Sequence, residues 1–248
     1  VAVGAYGPIT DNAYGIAKMS GASSEVLERT RTLDSLGTSG AAAARGYAGA
    51  AAALTSLILI VAYFEAYRTG IGAVAARNLP RFDLLEDPAL MIGLLLGGLL
   101  PYLFSFFTLA NVSRVAGLVV GEVHRQFEEI PGLRGGSAPP DLATCVSIAI
   151  VQAHKGMAYP ALLALAVPTV VGLVSPMALG GVLVGATLSG FLLSSFMTTA
   201  GGVWGAARQI VYSEDEPTPD TQTADAVTVA HLFGDPLKES SGPAIHTL

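Results

Sequence analysis

The sequence predicts an all-α, multi-span transmembrane helix bundle, and three observations predict it. Hydrophobic residues make up 52% of the 248 and charged residues only 13%. With a mean hydropathy of +0.56, the chain is too apolar and too charge-poor for an ordinary water-soluble domain. The apolar residues are also gathered into blocks, not spread at the period of a soluble core, and the blocks reach or nearly reach the roughly 20 residues a helix needs to cross the hydrocarbon.

Four blocks qualify: residues 47–67, 89–110, 157–174 and 179–200. The first holds Glu65 at its edge, and the others contain no Asp, Glu, Lys or Arg, as the cost of charge inside the membrane demands. Pro101, Pro160 and Pro168 fall inside blocks. Membrane helices tolerate them because neighbouring groups satisfy the freed backbone. Small residues recur at near four-residue spacing in GYAGAAAALTS (46–56) and GGVLVGATLSG (180–190), which predicts close helix approach and is a packing signal before it is a functional one.

Four spans place 1–46, 111–156 and 201–248 on one side of the membrane and 68–88 on the other. The first side carries Lys18, Arg29, Arg31, Arg45, Arg114, Arg125, Arg134, Lys155, Arg208 and Lys238, and the loop carries Arg68, Arg77 and Arg81. By the positive-inside rule the long polar segments are cytoplasmic. The expected organisation is a cytoplasmic motif segment of helix end plus loop (1–46), a transmembrane bundle with cytoplasmic extensions (47–212), and a flexible acidic loop followed by a polar motif and the start of a last helix (213–248). SEDEPTPDTQTAD (213–225) lacks apolar content and reads as the flexible part.

Every conspicuous polar motif therefore gathers on one face: AYGPITDNAYGIAKMSG (5–21), RTRTLDSLG (29–37), EVHRQFEEIPG (122–132), AGGVWGAARQ (200–209) and FGDPLKESSGP (233–243). Carboxylates converging with basic groups suit a polyanion held through divalent metal, with Asp on Mg²⁺ and Lys or Arg on phosphate oxygens. Singly, each motif has a structural alternative. Asp11-Asn12 behind Gly-Pro can be a helix N-cap after a turn, GDP can be a turn, and the charged run can be a solvated helix face. Cys145 is single and excludes a disulfide framework. His124, His154, His231 and His246 lack zinc spacing, and no P-loop, dinucleotide fingerprint, Ser-His-Asp arrangement or nucleic-acid-binding stripe is present.

The ordered set GPITDNAYGIAKMSG, ERTRTLDSLG, an Ala-rich helix, GLLLGGLLPYLFS, EVHRQFEEIPGL, PPDLATCVSIA, GVLVGATLSG, AGGVWGAARQ and FGDPLKESSGP closely resembles the membrane-bound pyrophosphatases. These are ion pumps that hydrolyse pyrophosphate at a cytoplasmic Mg²⁺ site and move H⁺ or Na⁺. The resemblance covers nearly the whole chain but only the C-terminal part of the family pattern of about sixteen membrane helices. The chain would run from the end of the eleventh helix to the start of the sixteenth. That Val stands at position 1, with no signal peptide, fits a fragment. The resemblance implies the pump's N-terminal half as a missing partner and a homodimer of the full assembly.

Matched residue by residue, the resemblance implies that Asp11 and Asp235 are metal-binding, and that Asp34, Arg208 and Lys238 face the substrate. The departures are Thr38 for the Asn of GNTT, Gly205 for the Asp of GGAWDNAKK, and His231 for an Asp four residues before the GDP Asp. Asp225 replaces the Lys of HKAAV, and Lys18 the Glu of GIAEM. Arg208 and Arg45 replace lysines, keeping charge but not shape. Imidazole is a poor Mg²⁺ ligand. At about 1.5 to 3 kcal/mol per charged contact, three losses cost roughly four or more decades of affinity or rate, so a weak or inactive site is expected. Ala41, just after the GNTT match, points to the K⁺-stimulated type. Two functions follow: the C-terminal part of a pyrophosphate-energised pump, or a non-catalytic membrane-bundle homologue acting as a subunit or remnant.

Overall fold

The computed structural model describes residues 2–70, 87–211 and 220–248. Among the described residues the fold is all-α, without strands. Helix α1 spans Ala2–Met19, α2 Ser24–Gly70, α3 Pro88–Glu129, α4 Leu142–Val174, α5 Pro176–Val211 and α6 Thr221–Asp235; a π-helical turn follows at Pro236–Ser241, then a short α7 at Gly242–Ile245. Helices α2 to α5 are each long and apolar enough to cross a membrane, and each contains one of the four expected blocks.

The helices outrun those blocks. At 1.5 Å per residue, α2 with 47 residues is about 70 Å long, more than twice the hydrocarbon thickness of about 30 Å. The polar motifs are therefore carried on helical extensions. RTRTLDSLG lies on α2, EVHRQFEE closes α3, and AGGVWGAARQ ends α5. The expected loop before residue 46 shrinks to a turn at 20–23. There Gly21 takes φ +67°, and the Ala22 N–H reaches back to Ala17 O at 3.1 Å, which satisfies carbonyls at the end of α1.

The boundaries have local causes. Asp87 accepts from the Ala89 and Leu90 amides at 2.9 and 3.4 Å, with Pro88 in the first turn where its missing N–H is harmless. Asp141 caps α4 through the Thr144 amide at 3.1 Å. A single residue, Ser175, separates α4 from α5. Its N–H bonds Val171 O and its Oγ accepts from the Ala178 amide. Pro101, Pro160 and Pro168 lie inside helices.

Two structural alternatives are ruled out and one expectation is corrected. Asp11-Asn12 is not an N-cap behind a Gly-Pro turn: Pro8 and Asp11 both lie inside α1, and Asn12 Nδ2 donates to Pro8 O at 2.6 Å. GDP is not a turn, because α6 runs to Asp235 and the chain stays helical through Pro236. Within the expected flexible stretch, 220–225 are ordered. Asp220 accepts from the Thr223 amide at 2.8 Å and starts α6, a cap that charge composition does not reveal. Residues 213–219, like Arg77 and Arg81, lie outside the described residues.

The chain divides into two compact units, one from Val1–Ala66 and Phe191–Thr247, the other from Tyr67–Gly190 with Leu248. In the second unit glycine permits near-backbone contact between α3 and the first half of α5. A methyl on Gly93 would sit 2.0 Å from Ala178 O, and one on Gly97 2.1 Å from Val182 O; Gly181 and Gly185 face Leu90 O and Leu94 O equally closely. This is the small-residue packing that the sequence predicts. Helix α4 joins α3 through the stacked rings of Phe107 and Tyr159, 6.2 Å apart. Buried Gln126 fastens the base of the hairpin, accepting from the Asp141 amide and donating to Asp141 O. Many large apolar side chains, including Leu57, Ile58 and Leu59 on α2 and Leu162 and Leu165 on α4, remain exposed. A membrane helix leaves such faces to lipid.

Candidate functional site

Within the first unit, α1 and α2 approach closely because Gly37 leaves room for Thr10: a methyl on Gly37 would meet Thr10 Oγ1 at 2.0 Å. The buried Thr10 hydroxyl donates to Gly7 O at 2.9 Å. This contact brings Asp11 of α1 within electrostatic reach of half-buried Asp34 on α2, so the two like charges repel. Thr38, one turn after Asp34, donates its hydroxyl to Asp34 Oδ1 at 3.4 Å.

Helices α5 and α6 meet in the same manner. A methyl on Gly201 would lie 2.4 Å from Gly234 O and 2.6 Å from Lys238 Cβ. The end of α6 and the π-helical turn then present a chain of charges. His231 Nδ1 stands 3.2 Å from Asp235 Oδ2, Asp235 Oδ1 is 3.3 Å from Lys238 Nζ, and Lys238 Nζ is 3.3 Å from Glu239 Oε1. Glu239 also pairs with Arg45 of α2, whose side chain is only 10% exposed. The widened π turn sets Asp235, Lys238 and Glu239 on one side, a helical irregularity frequent at functional sites.

Burial pushes the His231 imidazole below its ordinary range; Asp235 pulls the other way, Arg208 and Lys238 push it further down, and Asp11 opposes them. Through these influences Asp11, Arg208, His231, Asp235 and Lys238 form one electrostatic neighbourhood, linked through Asp11 to Asp34. Gly205 borders it, since a methyl there would come 3.4 Å from Lys238 Nζ. Two expected positions stand apart. Lys18 and Asp225 are exposed, and no side-chain contact among the described residues ties them to the cluster.

The fit to a metal follows from the same geometry. Asp235 Oδ1 is the one buried side-chain oxygen among the described residues without a hydrogen bond. It lies at ion-pair distance from Lys238 without hydrogen-bond geometry, so a cation of the protein already faces it. No three His, Cys, Asp or Glu side chains converge to hold a metal among the described residues. Mg²⁺ requires near-octahedral oxygen coordination, and these residues alone do not fit a Mg²⁺ centre.

Glu239 and the buried Ser194–His246 contact went unassigned in the sequence. Glu239 follows Lys238 directly, and adjacency to a substrate-facing lysine is the only signal that could have marked it. Ser194 and His246 are 52 residues apart, and no local pattern pairs them.

Comparison with known proteins places the chain in a family. The profile described as inorganic H⁺ pyrophosphatase matches residues 1–248. A K(+)-insensitive pyrophosphate-energized proton pump of Methanosarcina mazei is 37% identical over 249 residues, covering 100% of this chain and 36% of its own length. A candidate K(+)-stimulated pyrophosphate-energized sodium pump of Bacteroides thetaiotaomicron is 37% identical over 269 residues, covering 100% of this chain and 37% of its own length. A K(+)-insensitive pyrophosphate-energized proton pump of Caldanaerobacter subterraneus subsp. tengcongensis is 35% identical, with 100% and 35% covered. The chain thus spans just over a third of the length of these relatives. Four helices fit to cross a membrane and a profile match from end to end lead to one assignment: this integral membrane chain belongs to the inorganic H⁺ pyrophosphatase family.

Proposed function

We propose that this chain is the C-terminal part of a pyrophosphate-energised membrane ion pump, in which hydrolysis of Mg-pyrophosphate drives H⁺ or Na⁺ across the bilayer. One observation carries the reading. Asp11, Asp34, Arg208, Asp235 and Lys238, spread from one end of the sequence to the other, share a single neighbourhood in the first unit. Lys238 and Arg208 supply charge for phosphate oxygens, with Asp34 as the third substrate-facing group. Asp11 and Asp235 are the carboxylates this chain lends to Mg²⁺, whose remaining ligands come from pyrophosphate and from the rest of the pump. Full activity depends on that remainder, in the same polypeptide or as a partner, and on a homodimer of the whole assembly. By itself the chain is weak or inactive.

The experiment is Mg²⁺-dependent pyrophosphate binding by the assembly reconstituted in membranes. Asp235→Ala abolishes it in this reading, and unchanged binding would overturn the assignment. A second reading, a non-catalytic bundle homologue, is favoured by Gly205, His231 and Thr38 at the cluster. Absence of phosphate release with the rest of the pump supplied would select it.

The polar segments 1–46, 111–156 and 201–248 are cytoplasmic in this reading, with 47–212 as the bundle and its cytoplasmic extensions. Gln222→Cys in a Cys145→Ser background is then labelled from the cytoplasmic side only, and labelling from outside refutes the sidedness. Relatives of both K⁺-stimulated and K⁺-insensitive type match the chain. Ala41, buried on α2, supports the K⁺-stimulated type, which predicts faster phosphate release when K⁺ is added.

A further inference from the structure

In the first unit, away from the charged cluster, an imidazole is built into the packing of three elements. His246 follows α7, and its Nε2 lies 2.7 Å from Ser194 Oγ of α5. Ser194 is 1% exposed, and its Oγ also bonds Gly242 O at 2.8 Å. On the α2 side, a methyl on Gly49 would come 3.1 Å from Nε2, so only a glycine there leaves the ring unpressed. Gly242 O is free for Ser194 because the His246 amide turns to Pro243 O and Ala244 O instead.

Proton counting fixes the ring. A carbonyl oxygen only accepts, so the single hydroxyl proton of Ser194 goes to Gly242 O. The 2.7 Å contact with Nε2 is then satisfied only when Nε2 carries a proton and donates to Oγ. In the neutral ring Nδ1 is therefore the bare nitrogen, and it has no hydrogen-bond partner among the described residues. We infer that His246 is a proton-binding site of this unit: Ser194 holds Nε2 as a fixed donor and leaves Nδ1 to take up and release a proton.

The surroundings suit a site that is empty at neutral pH. Burial alone holds the His246 imidazole below its ordinary range. The nearest charged groups on the packed elements are Arg45, one turn before Gly49 on α2, and Glu239 of the π turn, and these two pair with each other. On α5 the nearest charged residue is Arg208, fourteen positions beyond Ser194. In the pump reading, an ionisable group packed between helices at the mouth of the bundle is a natural position for a transported or sensed proton. That use rests on the pump reading; the protonation site itself rests on geometry.

The test is a pH titration of the full chain in lipid nanodiscs with ¹⁵N-labelled histidine, followed by NMR. Replacing exposed His124 and His154, and then His231, by Gln assigns the His246 signals without altering it. At neutral pH the expected spectrum shows Nε2 protonated and Nδ1 bare, with Nδ1 gaining a proton on acidification. Ser194→Ala removes the acceptor of Nε2–H, which is stronger for the charged ring, and moves the midpoint down by up to about one pH unit. A proton on Nδ1 at neutral pH, no titration, or a midpoint untouched by Ser194→Ala would overturn the proposal. Pyrophosphate binding by the reconstituted assembly is measured in parallel. Its absence beside an intact His246 titration defeats the pump reading and leaves the proton site, and the reverse result defeats the site alone.

Discussion

A methyl group on Gly205 would stop 3.4 Å from the ammonium of Lys238, an ordinary contact, whereas one on Gly201, one turn earlier on α5, would collide with Gly234 O at 2.4 Å. Gly205→Ala is therefore expected to stabilise the chain by up to about 1 kcal/mol through helix propensity. Gly201→Ala should destabilise it by about 1 to 3 kcal/mol because backbone must move. Thermal unfolding in detergent separates the two, and equal midpoints would contradict the α5–α6 packing.

Arg45 and Glu239 join α2 to the π-helical turn, with side chains 10% and 28% exposed. Removing Glu239 strands the nearly buried Arg45, and removing Arg45 leaves Glu239 with Lys238 alone. Glu239→Gln and Arg45→Met should each cost about 1 to 3 kcal/mol, below the range for fully buried pairs because Glu239 keeps some solvent and a second cation. The double variant should cost less than their sum, and a double-mutant cycle reads the coupling directly. Strict additivity would show that the pair contributes nothing.

His231 gives the chain a pH dependence of known sign. Its folded-state pKa lies below the ordinary 6.5, with burial as the leading cause. Below pH 6.5 the unfolded chain thus binds more protons than the folded one, and stability rises with pH. The contribution is complete above 6.5 and is lost as pH falls through the folded-state value. His231→Gln should flatten the plot of unfolding midpoint against pH in that interval, leaving the slope due to His246, which is shifted in the same direction. An unchanged profile would rule out the burial of His231.

In the second unit, Gly97→Ala should be more damaging than a surface change, because Val182 O and Cα stand 2.1 and 2.6 Å from the added methyl. We expect a loss of about 1 to 3 kcal/mol. Gly98→Ala, with nothing within 4 Å, is the matched control on the same helix and should not lower the unfolding midpoint.

The sequence made the four spans legible because membrane crossing imposes a length and an absence of charge that no other structure demands together. The family resemblance also put Asp235 and Lys238 in one group, and the structure sets them 3.3 Å apart. The sequence did not disclose that residues 24–46 continue one helix, because ERTRTLDSLG has the polarity of a loop and tertiary packing against α1 decides its state. Gly201 and Gly234 look interchangeable with other glycines until the backbones meet. The pairing of Arg45 with Glu239 spans 194 residues, and that of Ser194 with His246 depends on how α5 and α7 dock; neither has a local signature.

Helix α2 carries Asp34, Arg45 and Gly49 without interruption. Fifteen residues of α-helix separate the first from the last, about 22 Å. A rod of that kind has no joint at which one end can yield alone. In the pump reading, any slide or roll of α2 that answers an anion held near Asp34 carries the Arg45 guanidinium along Glu239 and shifts Gly49 across the ring of His246. In that reading the occupancy of the proton site and the grip on the anion are written onto one mechanical coordinate, with glycine at the far end as its bearing surface.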